Sequence, residues 1–453
     1  MRKNLLWLTF VLLLLSIASC VPVSSRQSPP TFTATMSFTP SPIPSATPSP
    51  SATPPPSMTP SPTSTLTATP IQIPTMEQRC LHIVDSPRPK LKGRLVMSEY
   101  PRVVNLSWEE GHLFLLDMET GKRIPLARKT RNETVSPDGQ WLAFYDASRE
   151  QVIVADYEGN PVWELPSPKR KLEPAYWLDD QRLILNDKLG QDPQYESKYG
   201  YADRMILVNP FTNDQQAWWP DFPNQAQYFY LWPVDSGLMF NPALTQVVYP
   251  SNLVGKSPIV LWDVLNQQKI ATLYTTAPPV WSPDGRQFAI RAAPVLKAYT
   301  PPVINVDDGV PYENGNDLFL MNVQGNLYRL TYFSVAPGQE TIEEGYTWSP
   351  SGQQIAFWML DRLHSQAPSP MVVNVENKAL VNYCKTENLP EGIYASLIFP
   401  PSPVWSPDEQ YMVITVLNQD FERKVLLVEL ASGKAWKIAE NVSARGWMLP
   451  ASP

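Results

Sequence analysis

The sequence predicts an all-β protein: a seven-bladed β-propeller of four-stranded antiparallel blades, with its ring closed by the C-terminal strand. A signal peptide and a disordered Pro/Ser/Thr-rich linker precede it. Three observations carry this expectation. A turn-forming unit recurs along the chain. A second unit alternates with it. The first copy lacks its leading half, and the chain ends on a segment able to supply it.

The first unit is clearest in "PVWSPDGRQFAI", residues 279–290. Val280 and Trp281 end one apolar run, Ser282-Pro283-Asp284-Gly285 makes a turn, and Phe288-Ala289-Ile290 begins the next run. Ser suits the first position of a type I turn, Pro fixes φ at the second, and Gly tolerates positive φ at the fourth. Apolar runs on both sides make a β-hairpin. Near-copies are "SPDGQWLAF" (136–144), "WSPSGQQIAFW" (348–358) and "VWSPDEQYMVI" (404–414). Degraded copies are "YWLDDQRLIL" (176–185) and "FNPALTQVVY" (240–249), and "KGRLVMSEY" (92–100) keeps only the half after the turn. The second unit, a strand, a short polar turn and a strand, follows each of these; "LFLMNVQGNLYRL" and "VLLVELASGKAWKI" are examples. Seven of each alternate, so a repeat is two hairpins, and radial repetition of four-stranded sheets makes a propeller. In "SARGWMLP" (443–450), Trp447 stands where the Trp before each turn stands. This segment is expected to pair beside the strand starting near Arg94 and to protect sheet edges that would otherwise aggregate.

The "WSPDG…IAF" unit followed by "LFLMNVQGN…RLT" resembles the repeat of TolB-type propellers, within the wider WD-type group, and is similar to the propeller domains of the prolyl oligopeptidase superfamily. The resemblance covers roughly residues 92–450. It implies the fold more specifically than any function, because such propellers serve many roles. It also implies an envelope protein as partner.

Residues 1–19 read as a lipoprotein signal peptide. Arg2 and Lys3 form a positive start, Leu5–Leu15 is an apolar run too short for a membrane span, and "IASC" resembles a bacterial lipobox ending in Cys20. Cys20 is the expected lipidation site, with an ordinary signal peptide as the alternative. Residues 20–75 are then the lipidated Cys and a disordered tether. Arg26 is the only charge in residues 21–75, and bulky apolar groups are too few to offset ordering entropy. Proline makes such a segment a semi-rigid spacer of about 3.1 Å per residue. The propeller domain is expected over 76–453, and the location is extracytoplasmic, lipid-anchored to the cell membrane.

The 36 basic and 43 acidic side chains leave a formal charge of −7, which gives no reason to expect nucleic acid. Besides Cys20 there are Cys80 and Cys384. An even pair in an exported chain suggests a disulfide between the segment before repeat 1 and the end of repeat 6; two unrelated buried thiols are the alternative.

Consecutive strands a to d run outward and antiparallel, so a–b and c–d turns share one face and b–c and d–a connections share the other. The short turns fall on the first face. The long insertions, 187–203, 293–316 and 360–369 within repeats and 219–235, 333–345 and 385–401 between them, fall on the second. Long loops on one side of a rigid scaffold are where binding usually sits. Candidate binding residues there are Tyr195, Tyr199, Tyr201, Trp219, Tyr230, Trp232, Tyr299 and Tyr312, whose flat rings suit protein interfaces, sugar stacking or packing of the loops themselves. Asp307, Asp308, Glu343 and Glu344, with Asp187 and others, would make an acidic arc; Arg128-Lys129-Arg131 and Lys169-Arg170-Lys171 would make a basic one.

The three histidines have no ligand spacing, and no HExxH, CxxC, Gly-x-Ser-x-Gly, P-loop or dinucleotide motif occurs. No metal and no cofactor is therefore expected. "DDGVPYENGND" (307–317) has oxygen ligands for Ca²⁺ without EF-hand spacing. The sequence thus favours a non-enzymatic, membrane-anchored binding module for a protein or peptide. The alternative is a carbohydrate-binding or glycosidase-like propeller using loop aromatics and carboxylates.

Overall fold

The computed structural model describes residues 75–99, 111–188, 203–218, 239–250, 258–274, 279–292, 317–333, 339–341, 345–361, 368–384, 401–417 and 423–451, all within the compact unit Ala68–Pro453. The expected signal peptide, Cys20 and the tether lie outside the described residues.

The local driver of the fold is the turn between strands a and b. In "SPDG" the Ser282 hydroxyl donates to Asp284 Oδ1 at 2.6 Å and accepts the Gln287 N–H at 3.3 Å, while Asp284 Oδ1 accepts the Arg286 N–H at 3.1 Å. Ser136/Asp138 and Ser406/Asp408 repeat this arrangement. The serines are buried at 3% and 1% exposure, so their hydroxyls need these partners. The fourth turn residue takes the left-handed conformation: Gly285 has φ 67°, and Glu409, which replaces Gly, is held at 56°. At Gly285 an added Cβ would also stand 2.6 Å from Pro242 Cδ in the neighbouring repeat. The c–d turns use a different device. In repeats 1, 3, 4 and 6 the last residue of strand c is Asp or Asn, and its side chain accepts the N–H groups two or three residues on, as Asp117, Asn209, Asp263 and Asn374 do.

These hairpins assemble antiparallel sheets. Leu172–Trp177, Leu183–Lys188, Asp203–Asn209 and Asp214–Trp218 form one four-stranded sheet. Met239–Phe240, Gln246–Pro250, Pro258–Asp263 and Gln268–Tyr274 form the next, and Val280–Trp281, Gln287–Ala292, Asp317–Asn322 and Leu327–Arg329 the third. Repeats 6 and 7 each carry further strands. Among the described residues hydrogen bonding gives six sheets, not the expected seven. Repeats 1 and 2 share one seven-stranded sheet, because the 13-residue strand Arg123–Val135 serves both. Thr130 pairs with Gly111 on one side and Asp146 on the other. No loop separates the two repeats there; the strand turns instead at a register shift around Asn132, whose φ is 54°.

The core lies between sheets. Val96, Leu115, Phe144 and Ile153 join repeat 1 to repeat 2, and Trp163, Trp177, Leu183 and Val208 join repeat 2 to repeat 3. Equivalent clusters join 3 to 4, 4 to 5, 5 to 6, 6 to 7 and 7 to 1. The last includes the C-terminal strand. Ser443–Met448 pairs antiparallel with Arg94–Glu99, placing Trp447 beside Leu95, and this closes the ring.

The segment before Arg94 straps the outside. Met76–Gln78 pairs parallel with Leu380–Asn382, the outermost strand of repeat 6, and His82–Ile83 pairs parallel with Lys434–Ala435 in repeat 7. Between these pairs Cys80 and Cys384 form a disulfide. Gly433 lets the strap cross: an added Cβ would meet the Arg79 and Cys80 carbonyl oxygens at 2.8 Å. Tyr383 is buried beside the strap, donates to the Leu430 carbonyl at 2.9 Å, and has its hydroxyl pushed up to about 12 by burial.

Two outcomes follow from this construction. Deleting residues 443–453 removes the buried Ala444, Trp447 and Met448 and reopens the ring. It is expected to cost more than truncation of a buried Trp alone, about 3–5 kcal/mol, in calorimetric or CD melts; an unchanged melt contradicts strand closure. The c–d turns carry a pH dependence. Bonds from the Asn266 N–H and side chain and the Leu265 N–H hold the Asp263 carboxyl below its ordinary value; at Asp117 burial pushes upward, but bonds from Thr120, Glu119 and Arg94 prevail. A carboxylate held low in the folded state stabilises fully above its unfolded value near about 4, and that stability is lost as pH falls through the folded value. The melting temperature is expected to drop between about pH 5 and about pH 3, and less steeply in Asp263→Ala; an identical slope in that variant removes the turn as a cause.

Candidate binding face

Strand polarity divides the propeller into two faces of different construction. The short-turn face is closed by contacts between neighbouring turns. Leu449 N–H donates to the Gly139 carbonyl at 2.8 Å, and Asp138 N–H to Asp180 Oδ1 at 2.9 Å. Arg182 Nη2 reaches the Pro242 carbonyl at 2.6 Å, and Ser351 Oγ donates to Glu409 Oε2 at 2.9 Å. Burial, and then the charge of Asp138, push the Asp180 carboxyl upward. This face is occupied with holding the ring together.

On the opposite face the described strands end where the long connections begin. Strands end here at Lys188, Trp218, Ala292 and Asn382, and the next strands begin at Asp203, Met239, Asp317 and Val404. Tyr195, Tyr199, Tyr201, Trp219, Tyr230, Trp232, Tyr299, Tyr312, Asp307, Asp308, Glu343 and Glu344 lie outside the described residues. Asp187, expected on the surface, is instead buried at 1% exposure. The reason is register: strand b of repeat 3 continues through Lys188, and Asp187 pairs with Leu172 inside the sheet. The basic connections are described. Arg128, Lys129 and Arg131 lie within the shared strand, and Pro168–Arg170 is a 3₁₀ turn followed by Lys171.

Two polar clusters at this face were not legible as sites. Glu133 accepts from Ser98 Oγ at 3.2 Å and Thr130 Oγ1 at 2.7 Å, with Arg445 of the closing strand 3.8 Å away. Asn132 Nδ2 donates to Glu173 Oε2 at 3.4 Å in the next repeat. The second cluster stands where the 293–316 connection re-enters the sheet. Asp317, fully buried, receives Arg329 Nη2 at 2.7 Å, Thr331 Oγ1 at 3.1 Å and the Phe333 N–H at 2.6 Å; Arg329 also lies 4.4 Å over the Tyr332 ring. Nothing in "NDLFLMN" distinguishes this Asp from a turn residue, because its partners come from "RLTYF", downstream of the next turn. Among the described residues no three His, Cys, Asp or Glu side chains converge as a metal site.

The chain is a β-propeller. No protein-family model matches it, and no curated protein does. Solved structures do, at low identity. TolB from Acinetobacter baumannii is 11% identical, with TM-score 0.40, over 80% of this chain and 68% of that one. The putative TolB from Agrobacterium tumefaciens is 17% identical, with TM-score 0.35, over 64% and 88%. The propeller domain of the Trilobed protease from Pyrococcus furiosus is 12% identical, with TM-score 0.47, over 77% and 98%. These likenesses concern the propeller fold alone.

The Asp317 cluster yields a measurable outcome. Asp317→Ala leaves Arg329 buried without its counter-charge, which is expected to destabilise the propeller by about 3–5 kcal/mol in denaturant melts. Asp317→Leu with Arg329→Met is expected to recover much of that loss. Equal losses in both variants would mean that the pair is not coupled.

Proposed function

We propose that the chain is a non-enzymatic, extracytoplasmic binding module: a seven-bladed propeller lipidated at Cys20, tethered by its Pro/Ser/Thr-rich segment, and presenting its long-loop face to a protein or peptide. The observation that carries this reading is the segregation of connections. The described a–b and c–d turns are short and several bond to neighbouring repeats, while the strands that flank the long sequence insertions end on the other side. The blade count of seven is supported by the seven apolar clusters, each bridging consecutive repeats in a closed cycle. The Cys80–Cys384 disulfide suits an oxidising, exported setting. The strap adds an orientation. Met76 lies beside Leu380, just after the c–d turn of repeat 6, so the chain joins the propeller at its short-turn side.

Photo-crosslinking residues placed at Tyr199 and Tyr312, and at Glu376 on the short-turn face, test this in native envelope. Protein adducts are expected from the two insert positions and not from Glu376. Adducts from Glu376 alone would reverse the assignment of faces. No protein adduct, with retention on a glycan array lost in Asp307→Asn with Glu343→Gln, would favour carbohydrate capture instead.

A further inference from the structure

We propose that the exposed cations around repeat 2 form a docking ledge for an acidic peptide segment of a partner protein; the inference deepens the binding-module reading and rests on it. The ledge is built from three pieces of backbone that touch. Strand Arg123–Val135 carries Arg128 and Lys129, and the Lys129 carbonyl accepts the Ala147 N–H at 2.8 Å. Residues 147–150 make the b–c turn of repeat 2, and the Glu150 carbonyl accepts the Ser167 N–H at 2.7 Å. The 3₁₀ turn Pro168–Arg170 and Lys171 follow, with the Lys169 N–H donating to Glu150 Oε1 at 3.3 Å. Two basic runs forty residues apart in sequence are thereby brought to one place on the long-loop face.

The charge there is one-sided at the surface. Arg128, Lys129, Arg149, Lys169 and Lys171 are exposed, against the exposed Glu150 and Glu164. Arg149 is paired with Glu164 at 2.6 Å. Arg128, Lys169 and Lys171 make no ion pair among the described residues. The neighbouring carboxylates are turned inward. Glu133, whose side chain is 2% exposed, is held by Thr130 and Ser98; Glu173 is 4% exposed and is met by Asn132. In a chain of net charge −7, a local excess of exposed cations attracts an acidic segment that much of the rest of the chain does not.

The backbone holds this arrangement under tension. Asn132, Glu150 and Lys169 all sit at positive φ, 54°, 51° and 54°, in the left-handed region that side-chain-bearing residues such as Glu and Lys rarely adopt. The b–c turn of repeat 2 is also four residues long, so no insertion of its own covers the ledge. A peptide fits better than a lipid surface. The exposed large apolar side chains among the described residues are Ile83, Val162, Phe211, Leu265 and Tyr328, and none lies on the ledge to enter a bilayer.

The test is a titration of the full chain in detergent micelles with a fluorescent decaglutamate peptide, read by anisotropy. Binding is expected, weakening as salt is raised. Arg128→Glu with Lys169→Glu and Lys171→Glu is expected to weaken it by about tenfold or more. Lys122→Glu with Lys269→Glu and Lys434→Glu, an equal charge change on the short-turn face, is expected to change it less than about twofold. Should the reversal variant fail to fold, the Gln versions at the same three ledge positions give the same comparison. No peptide binding by the wild-type chain, equal weakening in both variants, or binding only to phosphatidylglycerol vesicles would overturn the ledge. The crosslinks from Tyr199 and Tyr312 are independent of these three residues, so failure of the ledge is distinguishable from failure of the binding-module reading.

Discussion

The indole N–H of Trp405 donates to the Thr347 carbonyl of the preceding repeat at 3.3 Å, and this bond type recurs in repeats 3, 5 and 6. Trp348 reaches Val280 at 2.9 Å, Trp281 reaches Met239 at 3.0 Å, and Trp177 reaches Thr134 at 3.2 Å. Where repeat 4 has Phe240 in place of Trp, its backbone N–H meets the Tyr176 hydroxyl at 3.1 Å instead. Each innermost strand is only two residues long in repeats 4 to 7, too short to hold a sheet by its own ladder. The ring therefore depends on each inner strand being fixed to its neighbour. A single bond of this kind contributes about 1 kcal/mol. Its importance lies in repetition, because no repeat can bury both faces of its sheet alone.

That dependence explains which parts of the fold were legible. The Trp-Ser-Pro-Asp-Gly unit is visible because one geometry is demanded at every a–b corner: a buried Ser hydroxyl, an Asp acceptor and a left-handed fourth residue. Departures were readable as well, since Glu409 in place of Gly still adopts φ 56°. The closing strand was legible because Trp447 repeats the inner-strand pattern at the far end of the chain. The join of repeats 1 and 2 was not. "RIPLARKTRNETV" has no turn signature, but its mixed polarity also gives no sign of a strand continuous across two ladders. Asp187 was misplaced for a related reason. Periodicity fixes the middle of a strand and leaves its ends open, and one further residue of ladder converts a surface acid into a buried one.

The candidate face was legible by topology rather than by chemistry. Alternation of strand direction sorts every connection onto one side or the other, so loop length alone shows which side is unconstrained. What the chain builds under that side was hidden. The donors to Asp317 come from Arg329, Thr331 and Phe333, brought together only when strand d folds back along strand c. Likewise the two basic runs at 128–131 and 169–171 read as one arc of connecting loops, whereas the first lies in a continuous strand and meets the second through the turn at 147–150.

The outer rim obeys a different constraint. An unpaired outermost strand invites addition of another chain, and the propeller guards its rim in several ways. In repeat 2 the strand "PVWELP" is bounded by Pro161 and Pro166, which cannot donate to an added strand. In repeat 1 Pro125, Arg123 and Arg128 interrupt the exposed edge. Repeats 6 and 7 have no proline in "LVN" and "KAWKIAE", and it is these edges that Met76–Gln78 and His82–Ile83 occupy. Pairs of three and two residues would fray on their own. The Cys80–Cys384 bond stands between them and shares their strand ends, with the Leu81 N–H on the Cys384 carbonyl at 2.7 Å and the Arg79 N–H on the Asn382 carbonyl at 2.8 Å. The strap thus covers edges that proline does not block, and the disulfide fastens it covalently to repeat 6.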